Sequence, residues 1–181
     1  FLMYGDLTTS TVVDKLLPAS PENTVKVFGE SASTQVNELT PKYIASGITT
    51  DTSGTPFVDA EWVMKENPEI IMRRALKADA SCGYDEDDTA QIKALREKIL
   101  SRPELANITA IKNGDVYCFA TDISTGLSYW LGIVYMAKQL HPDIFSDLDP
   151  VAIHQEYLTR FQRRDFNLNE HGVFFYPAEA V

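Results

Sequence analysis

The chain has 181 residues, enough for one ordinary domain with a sizeable core, and its 44% apolar content with two Trp, eight Tyr and nine Phe is that of a globular protein rather than a disordered one. Sixteen basic residues against 26 acidic ones leave a formal charge of −10, which argues against sequence-independent binding to nucleic acid and against an anionic membrane face, since both depend on excess positive charge. No apolar run approaches the ~20 residues of a membrane-spanning helix.

The chain opens on "FLMYG", a short apolar run closed by Gly5, which reads as a buried strand. It shows neither a signal peptide nor an initiator Met and is expected to be a fragment of a longer precursor. "LLPASPENTV" (16–25), with Pro18 and Pro21, is a loop, and "VKVFG" is a second extended piece. "STQVNELTPKYIASG" places Val36, Leu39, Tyr43 and Ile44 near helical spacing, with a bend or break at Pro41 and a stop at Gly47. "ITTDTSGTPF" is extended, then turn.

"VDAEWVMKENPEIIM" (58–72) is the most informative stretch. Asp59 is a suitable N-cap, Glu61 and Trp62 fall in the first helical turn, Val63 and Met64 supply an apolar face, and Asn67-Pro68 ends the helix. "EIIMR" (69–73) is the strand that follows. Helix, tight turn and central strand form the unit of an α/β fold with a parallel sheet.

"DASCGYDEDD" (79–88) reads as a surface loop, and "TAQIKALREKIL" (89–100) as an amphipathic helix with Ile92, Leu95, Ile99 and Leu100 on one stripe. "NGDVYCFAT" (113–121) is a turn and strand. "STGLSYWLGIVYMAKQL" (124–140) is a mostly buried helix capped by Ser124 or Thr125. "DPVAIHQEYLTRF" (149–161) is a helix with Asp149 as cap, Pro150 at its first position, and Ile153, Tyr157, Leu158 and Phe161 on one side. The tail from Arg163 contains "GVFFYP", an extended segment laid on the core. The order predicts a single α/β domain, a three-layer Rossmann-like arrangement with a mostly parallel central sheet and helices on both faces, without a GxGxxG dinucleotide fingerprint.

Candidate chemistry is sparse. His141 precedes Pro142 at a helix end, His154 falls on the expected outer side of the last helix, and His171 lies in the tail; none neighbours a nucleophile motif such as GxSxG. "DEDD" (85–88) lacks the spacing and glycine of a calcium loop and is preferred as a solvated lead-in to a helix. Cys82 and Cys118 show no zinc spacing; a disulfide between them is one alternative. Arg73 and Arg74 are expected to emerge at a strand's carboxyl end, where they could hold carboxylates or phosphates, or one could pair with the acidic loop. Tyr129 and Trp130 follow another strand end; either they line a pocket, or Trp130 joins Leu127 and Val134 in the core.

These features resemble the C-terminal lobe of the solute-binding proteins that serve ABC importers of iron–siderophore, haem and cobalamin. The resemblance is carried by "FLMYG", "VDAEWVMKENPEIIM", "AIKNGDVYCFAT" and "GIVYMAKQLHPDIFSDLDPVAIHQEYLTRF", over roughly residues 55–161, and does not extend to 6–35 or beyond 162. It implies an extracytoplasmic, lipid- or membrane-anchored, non-enzymatic module without a cofactor, whose partners are a chelated-iron, haem or corrinoid ligand and a permease in the membrane. The chain would be the second of two lobes, offering strand-end loops near Tyr4, Arg73, Arg74, Tyr129 and Trp130 to a ligand. The family's permease-docking glutamate falls at Glu61, where the helix dipole alone would also favour an acid by ~0.3–1 kcal/mol. A sensor or adhesion module on the same scaffold and a cofactor-binding enzyme domain are the alternatives.

Overall fold

The computed structural model describes residues 2–4, by their backbone, and 60–178. The expectations for 16–57 and the cap at Asp59 lie outside the described residues. Strand β1 (Leu2–Tyr4) runs parallel to β2 (Ile71–Ala75), with Leu2 opposite Ile71 and Tyr4 opposite Arg73. Between them in sequence stands α1 (Ala60–Glu66). After β2 come α2 (Ala90–Leu100), a 3₁₀ turn at Pro103–Leu105, the short α3 (Thr109–Asn113) and β3 (Val116–Ala120). Then follow α4 (Tyr129–Leu140), α5 (Pro150–Glu156) with a π-helical turn at Tyr157–Phe161, and β4 (Phe175–Tyr176). The strands are hydrogen-bonded in the order β1-β2-β3-β4, and the fold is of the expected α/β class with a mostly parallel sheet. The tail departs from parallel order: β4 is antiparallel to β3, with Cys118 opposite Tyr176 and Phe119 opposite Phe175.

The chain divides into two compact units, one of residues 1–74 and 96–117, the other of 75–95 and 118–181. In the first unit α1 ends because Asn67 turns left-handed (φ 44°) while its amide still reaches the Val63 carbonyl at 3.0 Å. Asparagine tolerates that conformation better than most residues. Its side-chain oxygen accepts from both the amide and the hydroxyl of Thr109, at 2.8 and 3.1 Å, so one residue closes α1 and opens α3. The Ala110 amide donates to the Pro68 carbonyl at 3.0 Å, and Gly114 (φ 79°) closes α3 as a left-handed cap before β3. Arg96 donates from Nε to the Val116 carbonyl and from Nη2 to the Gly114 carbonyl, each at 2.7 Å. The core of this unit is built on Val63, Ile71, Met72, Ile99, Leu105, Ile108 and Val116. Met64, expected on the apolar face of α1, is instead exposed: in a seven-residue helix only one side can be covered, and Val63 occupies it.

In the second unit Ile92, Phe119, Ile123, Leu131 and Leu158 are fully buried. The helix expected over 124–140 is shorter. Residues 121–123 and 126–128 form separate 3₁₀ turns, and α4 begins only at Tyr129. Gly126 (φ 64°) accounts for the break, because a left-handed residue cannot continue a right-handed helix. Every residue of α4 is buried or half-buried, as its apolar circumference predicts. Gly132 brings the helix against the β3 exit: a methyl group there would lie 2.5 Å from the Ile123 carbonyl oxygen. Asp149 caps α5 as expected, its carboxylate accepting from the Ala152 amide at 2.9 Å. Phe161, expected on the buried side of that helix, is 71% exposed because the π-helical turn shifts the side-chain period after Glu156.

Candidate functional site

Arg73 and Arg74 lie inside β2, followed by Ala75, rather than beyond its carboxyl end. Successive strand residues point to opposite faces, so the two guanidinium groups leave the sheet on different sides and do not form one clamp. Arg74 is buried and Arg73 half-buried. Tyr4 is the last residue of β1 and the register partner of Arg73. Glu61 stands exposed in the first turn of α1, where the partial positive charge of the helix start favours an acid. These four belong to the first unit; Tyr129 and Trp130 belong to the second.

In the second unit the loop leaving β3 is held by its own hydroxyl groups. Thr121 Oγ1 donates to the Ala75 carbonyl at 2.8 Å, Thr125 Oγ1 to Thr121 at 3.0 Å, and Ser128 Oγ to Asp122 at 2.7 Å. Ser and Thr favour this kind of local bond to the backbone, which fixes a loop without a core. Its tip carries Leu127, 89% exposed, so the expected Leu127–Trp130 packing is absent. Trp130 instead meets Tyr157 edge to face at 5.4 Å, and both are half-buried. Tyr129 opens α4 beside it, also half-buried. The loop leaving β2 is fastened by Lys77–Asp85 at 3.2 Å and by the Ser81 amide on Gln91 at 2.8 Å. It passes so close to the β3 exit that a methyl group on Gly83 (φ 91°) would meet the Asp122 carboxylate at 2.2 Å. The acidic run is engaged locally: Glu86 accepts from the amides of Asp87 and Asp88, and Asp88 from that of Ala90.

His154 is fully buried, not on the outer side of its helix. Its Nε2 lies 2.7 Å from the Tyr84 hydroxyl and its Nδ1 3.4 Å from that of Tyr135, so both nitrogens are engaged by phenols. Burial holds its pKa down, to about 4. Burial first, and the Asp122 charge second, push the Tyr84 hydroxyl up to about 12, and burial pushes Tyr135 further up. Tyr84 is 70 residues from His154 in sequence, and no local spacing signals that meeting. Cys82 is a buried free thiol, so no disulfide joins it to Cys118; burial and Asp122 push it up to about 11, far from thiolate at neutral pH. Among the described residues no three His, Cys, Asp or Glu side chains form a metal cluster, and no helix is long and apolar enough to cross a membrane. What these loops offer is a contact surface: hydroxyl-braced backbone presenting Leu127, Tyr129 and Trp130.

A model of the periplasmic binding protein family matches residues 24–121. The chain is similar in fold to the TroA-like periplasmic binding protein FepB of Veillonella parvula, at 20% identity and TM-score 0.67, over 96% of this chain and 47% of that one. It also matches a structure of Helicobacter pylori CeuE with Ni(II) bound, at 28% identity and TM-score 0.45, over 62% of this chain and 33% of that one. The chain thus spans about half the length of the first of these structures. No curated protein matches it.

Proposed function

The chain belongs to the periplasmic binding protein family, and from that premise we propose that it is the C-terminal lobe of an extracytoplasmic solute-binding protein, a single α/β domain that binds rather than turns over its cargo. On this reading the full protein captures chelated iron as a ferric siderophore, haem or cobalamin, and delivers it to the permease of an ABC importer. The observation that carries the reading is the extent of the fold likeness: nearly all of this chain corresponds to just under half of a periplasmic binding protein. That is the share expected of one lobe of two.

The proposed ligand wall is the braced loop at the β3 exit with Tyr129 and Trp130. In the first unit Tyr4 ends β1 and the half-buried Arg73 lies opposite it inside β2, and Arg74 is a weaker contact candidate because it is buried. The half-buried Trp130 and Tyr157, the latter also stacked on Phe161, make an aromatic cluster suited to a large, partly apolar ligand. A lobe alone lacks half the contacts and the preorganisation of a closed cleft, and binds weakly.

The proposed contact with the permease is Glu61, exposed on α1 beside Met64 and Lys65. A rim charge of this kind sets register and partner choice more than raw affinity. The test uses the full two-lobe protein and a panel of ferric siderophores, haemin and cyanocobalamin, read by calorimetry. Saturable binding of one class is expected; binding of none overturns the reading. Glu61→Arg is expected to cut uptake while leaving that binding intact, and unchanged uptake removes Glu61 from the docking role.

A further inference from the structure

The tail after α5 returns across the second unit and is tied to the loop leaving β2, and to α5 itself, at several separate points. Gly83 and Val173 exchange two backbone hydrogen bonds, at 2.6 and 3.0 Å. The Gln155 carboxamide donates to the Phe166 carbonyl and accepts from the Leu168 amide, both at 2.9 Å. The Asp87 carboxylate meets His171 Nδ1 with one oxygen and the Gly172 amide with the other, both at 2.9 Å. Beneath these, the Tyr84 ring packs edge-on against Phe166 at 5.3 Å and Phe174 at 4.6 Å, while its hydroxyl bonds His154. His154 also faces Phe174 at 4.7 Å. Two histidines therefore guard one segment, one deep and one at the surface.

We propose that residues 163–177 are a strap whose attachment to the 79–88 loop is set by two histidines: a proton on His154, buried between phenols, opposes it, and a proton on His171, facing the Asp87 carboxylate, favours it. His154 sits between two phenols and aromatic rings. The ionisable groups facing it are Tyr84 from the loop and Tyr135 from α4. Arg164 lies over the Tyr84 ring at 5.4 Å, and Asp122, Tyr157 and Asp149 act on these tyrosines from further away. A proton on His154 would be a buried cation with no carboxylate against it, so acid works against the strap. His171 faces Asp87 and its neighbour Glu170, beside the Phe166 ring, and its proton is what makes the pair with Asp87 ionic.

The signs follow. His154 is held below its ordinary value, so its contribution is complete above about 6.5 and is lost as pH falls towards about 4. His171 is held above its ordinary value by Asp87, so its contribution is complete in mild acid and is lost as pH rises through that raised value. Asp87 is held down by the same pairing and lets go only in stronger acid. Attachment is therefore greatest near the ordinary histidine range and falls on both sides. This inference concerns the chain's own tail and stands apart from the identity of the ligand.

Hydrogen–deuterium exchange of the intact chain from pH 4 to 9, corrected for intrinsic exchange, tests it at the amides of Gly83, Leu168, Gly172 and Val173. Protection is expected to peak between about pH 6 and 7 and to fall on each limb by up to about tenfold per pH unit, the limit for one linked proton. The Ala110 amide, in the first unit, should stay flat. His171→Gln should abolish the alkaline limb alone and His154→Gln the acid limb alone. Should the latter fail to fold, Tyr84→Phe keeps the ring and removes the hydroxyl on His154. It should lower protection at neutral pH while leaving the alkaline limb in place. A flat profile, an alkaline limb that survives His171→Gln, or an Ala110 amide that moves with the strap overturns the proposal.

Discussion

Arg96 in the first unit is half-buried and His154 in the second fully buried, and both hold distant segments together through hydrogen bonds, yet a change of pH acts on them differently. Arg96 carries a permanent charge and spends it on two backbone carbonyls at the turn into β3. His154 is kept neutral by its surroundings and hydrogen-bonds groups that are themselves pushed away from ionisation. The first unit is thus pinned by a bond that no physiological pH removes, and the second by a network that holds only while its central residue is uncharged. Where a fold places its titratable contacts decides which part of it acid reaches first.

The largest expected effect comes from Phe119→Ala, which empties the centre of the second unit and should cost about 3–5 kcal/mol at every pH, measured by chemical denaturation. It sets the scale for the next comparison. His154→Ala should cost about 3 kcal/mol at pH 8, from the lost packing and the stranded Tyr84 hydroxyl. The gap to the parent chain should narrow as pH approaches about 4, because the parent itself loses the contribution there. A gap that holds constant from pH 8 to 4 would break the contrast with Arg96. Arg96→Ala strands the carbonyls of Gly114 and Val116 and should cost about 1–3 kcal/mol, equally at pH 5 and 8. The smallest effect is that of Asp149→Ala, about 1 kcal/mol from the lost cap, read as faster amide exchange in the first turn of α5.

The sequence makes the α1–turn–β2 unit legible because its signals are local: Asn67-Pro68 ends a helix wherever it occurs, and the apolar run after it reads as a strand, displaced by two residues at its ends. Asp149 as a cap and Pro150 at the first position of α5 are legible for the same reason. The misread positions share a different cause. Phe161 leaves the buried side because the π-helical turn interrupts the 3.6-residue period, and Leu127 is outside α4 because the left-handed Gly126 breaks the helix before it. His154 has a polar environment supplied from 70 residues away by Tyr84, which no window of sequence contains. Arg73 and Arg74, expected beyond a strand's carboxyl end, lie inside β2, where a neighbouring pair is split between the two faces. The tail was legible as extended, whereas its antiparallel pairing to β3 and its ties to Gly83 and Asp87 depend on contacts between distant segments.

Gly132 carries a consequence of its own. Where α4 crosses the exit of β3, the separation is set by main chain against main chain, with no side chain interposed. The loop residues that face outward take no part in that spacing. Their identities can therefore change one exposed side chain at a time while the platform beneath them keeps its dimensions.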